Sequence, residues 1–279
     1  MARSMVRADV RATRAQRVGV AIVVAAAAGA SWVALSQLAM GSAMMGSGGM
    51  SLDAVAFLVT WSLMVGGMML PTIAPMVVAF LTLGRALPRR ARAGQVTAFV
   101  VPYLAVWLVA GGAALALRLA STGQPLLTAA CIAAAGLYQL GALKQEYLRA
   151  CRNPVGFFLQ YGDDLGSLRG SVRLGLRHAA LCFGCCVGLM VALMGAASIE
   201  LTWMAALGLL MMLEKTHPFG PRLAWISGWV LLVLAPLSLV IPTMGSLAIA
   251  SGATTFVALL ALLVLSIARP RNASPALAV

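Results

Sequence analysis

The stretch His178-Ala-Ala-Leu-Cys182-Phe-Gly-Cys185-Cys186-Val-Gly-Leu-Met190-Val-Ala-Leu-Met194-Gly-Ala-Ala197 decides how the chain is read. It contains no Asp, Glu, Lys or Arg. About twenty mostly apolar residues are what a helix needs to cross a hydrocarbon layer of about 30 Å. The stretch therefore predicts a membrane helix. It also holds three of the five cysteines and one of the two histidines within nine residues. At about 100° per residue, His178, Cys182, Cys185 and Cys186 fall within an arc of roughly 100°. One face of an apolar helix carries three thiols and an imidazole.

The rest of the chain has the same character. Of its 279 residues, 62% are hydrophobic and 10% charged. Soluble domains hold about 45–50% apolar and about 25% charged residues. A water-soluble core cannot hide so much apolar surface. Long runs of Leu, Val, Ala and Gly favour helices over a barrel. The predicted fold is an all-α, polytopic membrane bundle of about eight spans. The runs lie near residues 18–38, 52–83, 96–117, 125–143, 178–197, 199–213, 223–240 and 246–267. The first exceeds the 7–15 apolar residues of a signal peptide and reads as a span. Pro71 and Pro75 each remove a backbone donor and predict a kink in the second.

Nineteen of the 20 Lys and Arg residues lie in the two tails and alternate loops; Arg118 is the exception. The positive-inside rule then places both termini in the cytoplasm. Residues 1–17 form a basic tail, 18–267 one bundle with a cytoplasmic segment near 144–177, and 268–279 a second tail. Topology thus accounts for the net charge of +13, and nucleic acid is not an expected partner. No G-x-x-x-x-G-K-[ST] motif occurs, so no nucleotide is expected. No catalytic group stands out, and a non-enzymatic role is favoured.

In this topology the fifth span starts at the cytoplasm with His178 near the surface. Cys182 and Cys186 lie successively about 6 Å deeper. Thiolates are soft donors that select Cu(I) or Zn(II), and Met190 continues the stripe outward. Met64 and Met68 share a face of the second span and offer thioethers, which bind Cu(I) without losing a proton. The two faces would form the halves of one site. Met40, Met44, Met45 and Met50, in or beside an uncharged outer loop, would capture the ion. Lys144, Glu214 and His217 gather at the cytoplasmic side as polar support. Each feature has a plainer reading. Buried cysteine and methionine also act as apolar fillers, Gly184 and Gly188 suffice for close packing, and boundary charges pair or snorkel. Cys131 and Cys151 stand apart and read as structural. Phe157-Phe158-Leu159 reads as a short amphipathic piece on the membrane surface.

Several motifs, in order, resemble the bacterial family of predicted metal-binding integral membrane proteins. They are Met64 with Met68-Met69-Leu70-Pro71, Tyr138-Gln139-Leu140 with Lys144, and Cys151-Arg152-Asn153-Pro154. Next come Gly175-Leu176-Arg177-His178 with Cys182-Phe-Gly-Cys185-Cys186 and Leu189-Met190, then Met204 with Glu214-Lys215. The resemblance covers about residues 50–240 and implies metal binding, without naming the metal or the reaction. The expected function is handling of a soft metal, Cu(I) first and Zn(II) second, by transport or by delivery to a partner protein. One alternative is an accessory subunit or scaffold of a larger, metalloenzyme-containing complex. The other is a thiol-redox protein, which a deeply placed C-x-x-C disfavours. The lipid bilayer is an expected partner, and oligomeric state stays open.

Overall fold

The computed structural model describes residues 14–44, 54–84, 88–121, 124–162, 166–195 and 201–240. Among these, nine helices and no strand occur: α1 (Arg14–Met44), α2 (Ala54–Leu83), α3 (Arg89–Ser121), α4 (Pro125–Leu140), α5 (Ala142–Cys151), α6 (Pro154–Tyr161), α7 (Leu168–Gly195), α8 (Leu201–Thr216) and α9 (Gly220–Val240). The all-α expectation holds. Five helices, α1, α2, α3, α7 and α9, are long and apolar enough to cross a membrane. The pair α4 and α5 makes a sixth candidate if read as one bent span. With 16 residues, α8 reaches only about 24 Å. The run at 246–267 lies outside the described residues.

Two stretches depart from the hydropathy reading. First, α7 begins ten residues before His178. Ser167 caps it, its hydroxyl accepting from the Gly170 N–H at 2.9 Å. The early turns carry Arg169, Arg173 and Arg177, spaced to expose one charged face. Hydropathy marks where a helix becomes apolar, whereas the cap marks where it starts. His178 consequently lies ten residues inside the helix and is buried, 3% exposed.

Second, the polar segment after residue 143 is mostly helical. Gly141 adopts an extended conformation (φ −70°, ψ 151°) between α4 and α5, which meet at 64°. That turn puts Lys144 inside. α6 starts at Pro154 behind Asn153, whose side chain accepts from the Gly156 N–H at 2.9 Å. Phe157 and Phe158 are buried, with Leu159 alone of the three exposed. They pack with Phe80, Phe99 and His178. The expected surface piece is therefore a wedge in the bundle.

α2 contains Pro71 and Pro75 within one helix, over the apolar run expected at 52–83. Neighbouring helices tolerate the lost bonds, and Thr72 donates its hydroxyl to the Met69 carbonyl at 2.9 Å.

Helices pack through small residues. α3 lies along α7, α4 along α9, and α1 along α2. A Cβ on Gly175 would strike the Phe99 carbonyl, and one on Gly136 would sit 2.9 Å from the Gly228 carbonyl oxygen. Both contacts require glycine, as close approach between apolar helices usually does. The exterior carries exposed Val23, Val109, Leu126 and Val233. The interior holds methionines, aromatics and the thiols.

Candidate metal centre

α7 carries Cys182, Cys185 and Cys186 into the centre of the bundle, each 1% exposed. Their sulfurs all lie within 4.8 Å of one another, and Cys185 and Cys186 are 3.7 Å apart. Among the described residues this is the one group of three or more His, Cys, Asp or Glu donors close enough to share an ion. Three sulfurs bound at about 2.3 Å around one ion stand about 4.0 Å apart in a trigonal plane. The cluster needs only a small contraction to reach that arrangement. All five cysteines are free thiols. The donor set, three soft sulfurs with no carboxylate among them, suits a soft cation.

Cys182 is the one of the three whose sulfur meets a hydroxyl and an ammonium. The Tyr103 hydroxyl lies 3.2 Å from its sulfur, and Lys215 donates to it from 3.1 Å. Lys215 also donates to the Thr72 hydroxyl at 3.2 Å. Three helices thus converge on one sulfur: α3 through Tyr103, α8 through Lys215, and α2 through Thr72 behind it. An ammonium and a hydroxyl so placed give this sulfur polar side-chain partners that the other two lack.

A second polar cluster adjoins the first. Lys144 donates to Glu214 Oε2 at 2.7 Å and also to the Cys185 carbonyl. Gln139 donates to Glu214 Oε1 at 2.9 Å and to Ser227 Oγ at 2.8 Å. Lys144 and Gln139 are wholly buried, and Glu214 nearly so. The cluster ties α4, α5, α7, α8 and α9 together around the backbone of a cysteine.

The remaining predicted residues are dispersed. His178 stacks on Tyr103 and Phe99, with ring centroids 5.5 and 5.9 Å away, and meets the edge of Phe157. Its Nδ1 is buried without a hydrogen-bond partner, and the imidazole stands outside the three-thiol group. Met190 is buried one turn beyond Cys186. Met64 and Met68 are buried on α2, where Met68 lies against Gly208 of α8. Met68 also lines a groove of about 620 Å³ with Trp32, Pro71 and Met212. Met40 is exposed near the end of α1, and Met44 closes that helix. Met45 and Met50 lie outside the described residues. His217 is half-buried past the end of α8, its ring tilted 40° to that of Phe219 with centroids 5.4 Å apart, and its carbonyl accepts from Arg152 at 2.6 Å.

A model of the PpoB2 family, described as a copper chaperone, matches residues 58–238. The chain belongs to the PpoB2 family. The match covers most of α2 and continues almost to the end of α9, so every residue of both polar clusters lies inside the PpoB2 region. Met40, Met44, Met45 and Met50 lie outside it. Neither a curated protein nor a solved structure matches the chain.

Three neighbours of the thiol group, and Cys151 beside it, escape a reading by sequence pattern. Tyr103 and Thr72 give no signal, because neither type is unusual in an apolar helix. Lys215 does give one, since an ionisable residue in such a helix is a functional candidate by default. Placing it at a boundary hid its contact with Cys182. Cys151 is the correction. It does not stand apart: its sulfur lies 3.5 Å from that of Cys185.

Proposed function

We propose that this chain is a membrane-embedded copper chaperone. It holds one Cu(I) on Cys182, Cys185 and Cys186 and delivers it to a metal-receiving partner protein. The carrying observation is the group of three buried sulfurs within 4.8 Å of one another, with the Lys215 ammonium on Cys182. Membership of a family described as a copper chaperone supports the same metal.

Charge counting favours Cu(I). A low-dielectric interior penalises net charge heavily. Two thiolates, one Cu(I) and the Lys215 ammonium sum to zero. The third thiol can then stay protonated or join as a weaker ligand. The other buried cation nearby, Lys144, is already balanced by Glu214. Zn(II) would need all three thiolates ionised to reach neutrality with Lys215.

The proposal places the bundle in a bacterial inner membrane, both termini cytoplasmic, with eight spans. The charge distribution and the apolar exterior support this reading. The groove beside Met68 and Met212 offers thioethers next to Thr72 and Lys215, a suitable approach for a soft ion. His178 offers a nitrogen donor one turn from Cys182.

Metal analysis of the purified full chain tests the core claim. After loading under reducing conditions, the expected content is one Cu(I) per chain, lost in Cys182→Ser. A wild-type protein that takes up no copper would sink the proposal.

A further inference from the structure

The three buried thiols explain retention and leave release unexplained. An ion held by sulfurs that are each 1% exposed has no direct path to a partner. Cys151 supplies one. It is the last residue of α5, half-buried, and its sulfur is 3.5 Å from Cys185. It lies at the polar end of the bundle. Glu146 and Arg149 on the same helix are exposed. The next residue, Arg152, donates at 2.6 Å to the Glu214 and His217 carbonyls, where α8 ends.

We propose that Cys151 is the exit ligand, receiving Cu(I) from Cys185 and presenting it to the acceptor at the Arg-rich end of the bundle. The inference rests on the reading of the three thiols as a Cu(I) site.

The geometry makes Cys185 the pivot. Its sulfur lies 3.7 Å from Cys186 on one side and 3.5 Å from Cys151 on the other. Both separations are close to the spacing of about 4 Å that two sulfurs adopt on one ion. Transfer is then an exchange of ligands. A bond from copper to Cys151 forms, the bond to Cys182 breaks, and Cys185 stays attached throughout. Copper remains Cu(I), so no oxidant or reductant is needed. The proton given up by the Cys151 thiol is matched by one taken up at Cys182. Cys182 is the suitable leaving sulfur because Lys215 donates to it and the Tyr103 hydroxyl lies 3.2 Å away, so polar partners remain when copper leaves, whereas Cys151 has a sulfur neighbour in Cys185. An acceptor bearing a soft donor of its own completes the step by the same exchange at Cys151.

The test uses the full chain in detergent, loaded with one equivalent of Cu(I). The probe is bathocuproine disulfonate, a charged Cu(I) chelator that stays in water. Cys151→Ser should bind the same one equivalent and release it about tenfold more slowly, since changes in related complexes fall mostly on dissociation. Alkylating Cys151 with a charged maleimide in the loaded wild-type protein should slow release likewise, with no dependence on refolding a variant. Preferential labelling of Cys151 over the three buried thiols, located by mass spectrometry, is part of the expected result. Release unchanged by both treatments overturns the exit role while leaving the copper site standing. Loss of copper from Cys151→Ser as complete as from Cys182→Ser also overturns it, because Cys151 would then be an ordinary ligand. Wild-type protein that binds no Cu(I) overturns the copper reading and the exit role together.

Discussion

Glu214 and Lys215 are consecutive residues in the last turn of α8, and they enter two different kinds of surroundings. Glu214 joins a closed network in which Lys144, Gln139 and Ser227 supply its partners. Lys215 points the other way, onto a cysteine sulfur and a threonine hydroxyl. A buried carboxylate paired with an ammonium and an amide is a structural solution, because each charge finds its opposite. An ammonium facing a thiol cluster without a carboxylate is prepared to balance something else. One residue step, about 100° around the helix, separates the two surroundings.

Substitutions can break or sharpen this contrast. The largest effect is expected in the closed network. Lys144→Met leaves Glu214 buried without its counter-charge, which typically costs about 3–5 kcal/mol. Thermal unfolding in detergent should show a large drop, partly restored by adding Glu214→Gln. A small shift would mean that the network is not the clamp described here. Next, Cys182→Ser should lower Cu(I) affinity by roughly a hundredfold or more, about 2.7 kcal/mol, with near-native unfolding. Competition with a chelator of known affinity reads the first quantity. Weaker still, Lys215→Met should reduce Cu(I) affinity about tenfold through loss of the balancing charge, and Lys215→Arg should restore most of it. Equal affinities for Lys215→Met and wild type would remove the counter-charge argument for Cu(I). Smallest of all, Met68→Leu preserves volume and should shift stability by less than about 1.5 kcal/mol. Its effect on copper uptake then reports directly on the groove between α2 and α8. Identical uptake kinetics would exclude the thioether as a way-point.

Much of the site can be read from the chain before any folding is considered. The cysteine face of α7 follows from helical spacing alone, since residues 182, 185 and 186 must share one side of any helix. Lys144 and Glu214 attract attention as ionisable residues in apolar surroundings. Other features resist such a reading for identifiable reasons. Cys151 is 34 positions from Cys185, and no periodicity connects them. His178 looks superficial because apolarity begins there, yet an arginine-faced extension of the same helix precedes it. Lys144 looks like the end of a span because Gly141, with nothing in its φ to demand glycine, breaks the helix and swings the lysine inward. The last two misses come from equating the edge of an apolar run with the end of a helix.

The sequence by itself determined that the chain is helical, apolar on its outside as well as its inside, and basic in the segments between alternate apolar runs. It also determined that three soft donors share one helical face. Those properties depend on composition and on local geometry, which the order of residues fixes directly. Tertiary structure alone decided which charge meets which partner. It set Lys215 and Tyr103 on Cys182, closed Lys144 onto Glu214, and brought Cys151 beside Cys185. These contacts join helices far apart in the chain. They depend on crossings set by close approaches such as Gly175 on Phe99 and Gly136 on Gly228, which no local pattern encodes.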